Sequence, residues 1–192
     1  MKIVALLDAC VIYPAPIRDL LLSFADAGLF KPKWTIEIHD EWTRNLIENR
    51  SDLEPKRIRR TVDMMDEAFP DALVEDYENN LQALELPDPD DRHVLAAAIY
   101  AESKYLVTAN LKDFPLDQCL EHGINPIHPD DFTLLLLESS MEVAFECFKQ
   151  MVARLKTPPQ KIEQVLETLE KCGLVKTAEY LTRLNQRENL AF

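Results

Sequence analysis

Two kinds of hydrophobic pattern alternate along the first two thirds of the chain. Residues 3–7 form an unbroken run of five apolar side chains, which is typical of a strand buried on both faces of a parallel sheet. Residues 105–109 predict a second strand, and residues 72–74 and 125–128 are weaker candidates. These segments predict the strands of one central sheet.

Between the strands, apolar residues recur every three or four positions, as on the buried face of a helix. Helices are predicted after Pro14 and Pro16 up to Gly28, over residues 34–49, from Pro55 onward, and from Asp88–Pro89 onward. Strands that alternate with helices predict an α/β domain with a mostly parallel central sheet flanked by helices.

The pattern changes near residue 129. From there to the end of the chain only helical spacing recurs, with breaks at residues 157–159 and at Gly173. We therefore expect two parts, an α/β domain over residues 1–129 and an all-helical C-terminal extension over residues 130–192.

Composition excludes several classes of enzyme. The 192 residues include only three glycines, far apart, whereas a phosphate-binding loop, a dinucleotide-binding turn and a nucleophile elbow each need clustered glycines. The four cysteines are also dispersed, which indicates reduced thiols. With no apolar run of membrane-spanning length and no secretory cleavage site, we expect a cytoplasmic protein without a membrane partner.

Acidic residues stand at the positions where a parallel sheet forms its sites. Asp8 follows the first strand, and Asn110 and Asp113 follow the strand at residues 105–109, so the three are expected at one edge of the sheet. Asp91 lies in the first turn of its predicted helix, and Glu41 lies beside a buried helical stripe. Carboxylates that converge need a cation, and oxygen ligands select Mg²⁺ or Mn²⁺. Such a site suits phosphodiester hydrolysis.

Each acid also has a purely structural interpretation. Asp8 could cap the turn after its strand, and Asp113 could be a turn residue before Phe114–Pro115. Asp91 could stabilise a helix N-terminus, and Glu41 could belong to a solvated helix face.

The net charge of −13 disfavours unaided binding to nucleic acid. The exception is a basic segment in which Arg44, Arg57 and Arg60 are candidates for RNA contacts, together with neighbouring Lys and Arg residues. The alternative is a solvated helix face that pairs with nearby acids.

Four spaced motifs together resemble the PIN-domain ribonucleases, and within them the VapC-type toxins that carry a helical C-terminal extension. The motifs are the apolar strand into Asp8, Glu41 in Ile-His-Asp-Glu-Trp, residues 88–98 (Asp-Pro-Asp-Asp-Arg-His-Val-Leu-Ala-Ala-Ala) and residues 108–115 (Thr-Ala-Asn-Leu-Lys-Asp-Phe-Pro). Carried over by position, Asp8, Glu41 and Asp91 match the metal-binding acids of that family. Where the family commonly has an aspartate this chain has Asn110, so either Asp113 takes over that position or Asn110 binds through its amide oxygen.

The resemblance implies a Mg²⁺-dependent endoribonuclease that acts as the toxin of a toxin–antitoxin pair. Its partners would be an RNA substrate and a cognate antitoxin protein that inserts a segment into the site, and a homodimer is left open. Two other readings remain: a catalytically decayed PIN-like module that binds proteins, and a metal-dependent phosphatase. The phosphatase interpretation requires an Asp-x-Asp motif at the end of the strand, and this chain has Cys10 in place of the second aspartate.

Overall fold

The computed structural model describes residues 2–78, 81 and 84–190. In this part of the chain, four parallel strands form one sheet in the order β2-β1-β3-β4. The strands are β1 (Ile3–Leu7), β2 (Phe30–Lys33), β3 (Tyr105–Val107) and β4 (Asn125–Ile127). This confirms the predicted α/β class and its parallel sheet.

The register of the two central strands determines which residues meet at the sheet edge. Leu7 of β1 pairs with Val107 of β3, and both strands end at these residues. The next residues, Asp8 and Thr108, therefore leave the sheet side by side, and the Asp8 backbone N–H still donates to the Val107 carbonyl at 3.1 Å.

The chain forms two compact units. The first comprises Met1–Tyr13 and Phe30–Ile127 and contains the sheet. Its helices are α1 (Ala9–Ile12), α3 (Ile36–Asn49), α4 (Pro55–Ala68), α5 (Arg92–Tyr100) and α6 (Leu116–Glu121), with a 3-10 turn at Pro89–Asp91.

Local sequence explains where the helices near the site begin. Thr35 caps α3 by accepting a hydrogen bond from the Ile38 N–H at 3.1 Å, and Pro55 occupies the first turn of α4, where its missing N–H costs nothing. Trp42 and Ile38, four residues apart on α3, are fully buried and hold that helix against the core of the unit.

The second unit comprises Pro14–Leu29 and His128–Phe192 and is helical in its described residues. Its helices are α2 (Ala15–Asp26), α7 (Pro129–Ser139), α8 (Met141–Arg154), α9 (Ile162–Lys171) and α10 (Val175–Leu190). The buried Asp130 carboxylate accepts backbone hydrogen bonds from Lys176 and Thr177, both at 2.9 Å, and so joins the start of α7 to the start of α10.

The structure differs from the sequence-based expectations in three places. Strand β2 was not predicted, because Phe-Lys-Pro-Lys lacks a strand-like pattern and contains a proline. Residues 72–74 form a single bridge between Trp34 and Leu73 instead of a strand. By its contacts α2 belongs to the second unit, whereas the predicted boundary after residue 129 stays a prediction. Within the described residues, no helix has the length and apolar character needed to cross a membrane.

Candidate active site

Asp8 is the best-anchored acid at the sheet edge. It is 7% exposed and begins α1, where its Oδ1 accepts a 2.6 Å hydrogen bond from the Ala9 N–H. Its Oδ2 accepts a second bond of 2.6 Å from the Thr108 hydroxyl. The capping role anticipated for Asp8 is thus real, but it uses only one of the two carboxylate oxygens.

Sequence reasoning missed two side chains that contact Asp8, namely Thr108 and Cys10. The Cys10 thiol donates to Asp8 Oδ2 at 3.1 Å and lies 3.5 Å from the Thr108 hydroxyl. Burial, followed by the charge of Asp8, raises the pKa of Cys10 to about 12, so the side chain stays a thiol and a donor. The signal in the sequence was weak, because it consists only of a hydroxyl directly after β3 and a thiol three residues after β1.

Of the predicted acids, Asp91 has the most strongly raised pKa. Burial and then the charges of Asp8, Asp88, Asp113 and Glu41 raise the pKa of Asp91 from its ordinary 3.8 to about 7. Its Oδ2 is buried and has no hydrogen-bond partner among the described residues. As the structural interpretation assumed, Asp88 makes the cap by accepting from the Asp90 N–H at 2.9 Å, and Asp91 lies in the first turn. The Asp91 side chain itself makes no capping hydrogen bond. A buried carboxylate oxygen without a partner, close to other carboxylates, is an atom to which a cation could bind.

Glu41 faces the same cluster from α3. Burial and then the Asp8 charge raise the pKa of Glu41, while Arg44, one turn further along the helix, lowers it. Glu41 is partly buried, which argues against the interpretation as part of a fully solvated helix face.

Asn110 and Asp113 lie together in the turn after β3. The Asn110 side-chain amide donates to Asp113 Oδ2 at 2.5 Å, and Lys112 Nζ lies 3.6 Å from the same oxygen. Asp113 acts on the pKa of Asp91, so its charge belongs to the cluster. The Asn110 amide nitrogen is committed to Asp113, which leaves its amide oxygen as the atom able to meet a cation.

The three arginines predicted as RNA contacts occupy different surroundings. Arg44 is exposed on α3 and acts on Glu41. Arg57 and Arg60 are exposed on α4, where Arg57 Nε lies 4.0 Å from the exposed Glu54 carboxylate. Of these three residues, Arg44 is the one whose charge reaches a predicted acid.

The acids repel one another, and the described side chains are not arranged as a preformed metal-binding site. In the described part of the chain, no three His, Cys, Asp or Glu side chains are arranged as a ready metal site. The donor set nevertheless fits a hard divalent cation, because it offers carboxylate oxygens, an amide oxygen and one buried oxygen without a partner.

Comparison with known proteins finds two family models that match this chain. The model of the PIN domain family matches residues 4–112, and the model of the VapC50 C-terminal domain matches residues 129–183. Over 79 residues the chain is 39% identical to "Putative ribonuclease VapC50" from Mycobacterium tuberculosis (strain ATCC 25618 / H37Rv). That match covers 41% of this chain and 47% of the relative, so it spans about half of the relative's length. No solved structure matches significantly.

The two family models match separate stretches of the chain. The PIN match contains Asp8, Glu41 and Asp91, together with Asn110, whereas Asp113 follows directly after its end. The second match falls on the helices from α7 into α10. The chain therefore belongs to the PIN-domain family, and its C-terminal helices are similar to the VapC50 C-terminal domain.

Proposed function

We propose that this protein is a metal-dependent endoribonuclease that cleaves RNA at the cluster of Asp8, Glu41, Asp91 and Asp113 and acts as the toxin of a toxin–antitoxin pair. The observation that carries the proposal is the buried, unpartnered Oδ2 of Asp91, whose pKa is raised to about 7 by burial and four neighbouring acids. Such a perturbed group at the carboxyl edge of a parallel sheet is typical of a functional site.

The side chains of the cluster would hold Mg²⁺ or Mn²⁺. When bound, the cation supplies activation of a water molecule and stabilisation of the leaving oxygen in phosphodiester hydrolysis. Asp8 is held rigidly by three hydrogen bonds and defines one side of the site. Asp91, which needs compensation for its charge, is the second ligand, and Glu41 approaches from α3 as the third.

For the fourth position we favour Asp113 over Asn110. The charge of Asp113 reaches Asp91, and the Asn110 amide nitrogen holds Asp113 in place through a bond of 2.5 Å. Asn110 would then orient the fourth acid, and its own amide oxygen would be a secondary ligand. An aspartate at position 110 would add another negative charge to a cluster that already repels itself.

The proposed partners are an RNA substrate and an antitoxin protein. An RNA backbone needs positive charge beside the acids, and Arg44 on α3 is the best-placed of the three arginines predicted for this role. The relative's printed name, "Putative ribonuclease VapC50", supports RNA as the substrate. The cognate antitoxin as inhibitory partner is what the resemblance to VapC-type toxins implies. A cytoplasmic location and a homodimer remain predictions.

The proposal is tested with purified protein and structured RNA. Wild type is expected to cleave with Mg²⁺ or Mn²⁺ and to stop on addition of EDTA, whereas Asp8→Asn should lose at least a hundredfold in rate. Asp90→Asn is the matched control, because Asp90 is an exposed neighbour of Asp91. This variant should cleave RNA at the wild-type rate. Equal cleavage by Asp8→Asn, or cleavage that survives EDTA, would refute the mechanism.

One observation favours a second candidate, the catalytically decayed binding module. The family's usual fourth acid is an amide here, at Asn110. Titration calorimetry with Mn²⁺ separates the two proposals: a decayed site takes up no cation, whereas the nuclease site binds one in a way that Asp8→Asn abolishes.

A further inference from the structure

We infer that Thr108 is a positioning residue, whose hydroxyl orients the Asp8 carboxylate and joins it to the turn that carries Asn110 and Asp113. The inference rests on the proposed function, because it concerns the same site. Thr108 was not among the candidates that the sequence suggested, and it would bind neither the cation nor the RNA.

The hydroxyl lies between two groups that depend on it. It donates to Asp8 Oδ2 at 2.6 Å and accepts from the Asn110 backbone N–H at 2.9 Å. Because a hydroxyl carries one hydrogen, the bond that it accepts from Asn110 leaves that hydrogen for the carboxylate. Thr108 is 0% exposed, so water cannot replace either bond without entering the core.

The same bonds decide which part of Asp8 is open to a ligand. Oδ2 accepts from both Thr108 and Cys10, which uses its two lone pairs. Oδ1 accepts one bond from Ala9, and among the described residues no other donor contacts it. Asp8 is therefore held with one remaining lone pair of Oδ1 available to a cation.

Cys10 supports Thr108 from the β1 side. Its sulfur accepts from the Ala109 N–H at 3.3 Å and its S–H donates to Asp8 Oδ2. Bonds to sulfur are weak, so Thr108 is expected to contribute more than Cys10. Together the two side chains link the ends of β1 and β3 beyond the last backbone pair of the sheet.

Groups that orient metal ligands typically contribute about 10- to 100-fold in metal affinity or activity. Thr108→Val removes the hydroxyl at nearly constant volume, and we expect it to weaken Mn²⁺ binding by at least about tenfold in calorimetry. Thr108→Ser keeps the hydroxyl and should bind Mn²⁺ within about threefold of wild type. Cys10→Ala should lie between the two.

A readout without metal separates positioning from general loss of stability. The Asn110 backbone amide should exchange hydrogen faster in Thr108→Val than in wild type, and Thr108→Ser should restore its protection. Thr133→Val is the folding control. Thr133 is equally buried, and its hydroxyl donates to the Pro129 carbonyl at 2.7 Å in the other unit. It should lower the melting temperature and leave Mn²⁺ binding unchanged.

The outcomes distinguish this inference from the proposed function. If wild type binds Mn²⁺ and cleaves RNA, and Thr108→Val binds Mn²⁺ with the same affinity, the role of Thr108 is overturned. The proposed nuclease function then stands. A wild type that binds no Mn²⁺ overturns both. If Thr108→Val does not fold, Thr108→Ala removes the same hydroxyl without placing a methyl group against the carboxylate, and the same comparison applies.

Discussion

Asp91→Asn should make the metal-free protein more stable, although it removes a residue proposed to be essential for activity. The Asp91 carboxyl is partly buried and lies within reach of the charges of Asp8, Glu41, Asp88 and Asp113, which raise its pKa to about 7. In the absence of a cation, ionising it at neutral pH therefore works against folding. An asparagine has the same shape without the charge, and its amide can donate to a neighbouring carboxylate.

The size of the effect follows from the displaced pKa. A change of the pKa from 3.8 to about 7 corresponds to about 4 kcal/mol of unfavourable ionisation in a fully buried site. Asp91 is only partly buried, so water screens much of this energy, and we expect Asp91→Asn to raise the free energy of unfolding by about 1–2 kcal/mol. For a chain of this length, the melting temperature would rise by about 2–8 °C.

The sign of the pH dependence distinguishes this cause from improved packing. Because the folded-state pKa of Asp91 is raised, the folded protein binds a proton more tightly than the unfolded chain does. The destabilisation begins above about pH 4, where the unfolded carboxyl ionises, and is complete above about pH 7. Wild type should therefore lose more stability between pH 5 and pH 8 than Asp91→Asn does.

The assay is thermal unfolding in EDTA at several pH values. Asp90→Asn serves as control and should follow wild type to within about 0.5 kcal/mol, because Asp90 is exposed. If Asp91→Asn melts at or below the wild-type temperature at pH 8, or if the gap between them does not widen with pH, the acids do not repel one another as described.

Three further predictions concern the surroundings of the site and the second unit. Asp66→Ala removes the acceptor of the fully buried Trp34 indole N–H, at 2.8 Å, and should cost about 1–3 kcal/mol in urea unfolding, while Asp66→Asn should cost less. Asp130→Ala removes both caps on α10 and should cost about 1–2 kcal/mol by the same measurement. Mn²⁺ at 100 times its dissociation constant should stabilise wild type by about 2.7 kcal/mol, and Asp8→Asn much less, in thermal unfolding at pH 8.

The strands at the centre of the fold could be predicted because buried strands have an almost entirely apolar composition. Both β1 and β3 are apolar over their full length, since helices and neighbouring strands cover them. In the edge strand β2 two lysines and a proline follow Phe30. An edge strand tolerates this composition, but sequence rules assign it to a turn or loop.

The candidate site could be predicted only in part, for a different physical reason. Its acids stand at recognisable places, namely a strand end, the start of a helix and a turn. Thr108 and Cys10 do not stand out in the sequence, because their importance lies in contacts between segments about 100 residues apart. The preference for Asp113 over Asn110 depends likewise on a bond of 2.5 Å between the two side chains, which no sequence pattern encodes.

The central claim is that the clustered acids make this protein an RNA-cleaving enzyme. The most direct measurement maps the 5′ ends of RNA in cells that produce wild type, Asp8→Asn or Asp90→Asn at equal protein levels. The account predicts new ends at a restricted set of sites with wild type and Asp90→Asn, and none with Asp8→Asn. The same new ends in cells that produce Asp8→Asn, or no new ends with any of the three, would contradict it.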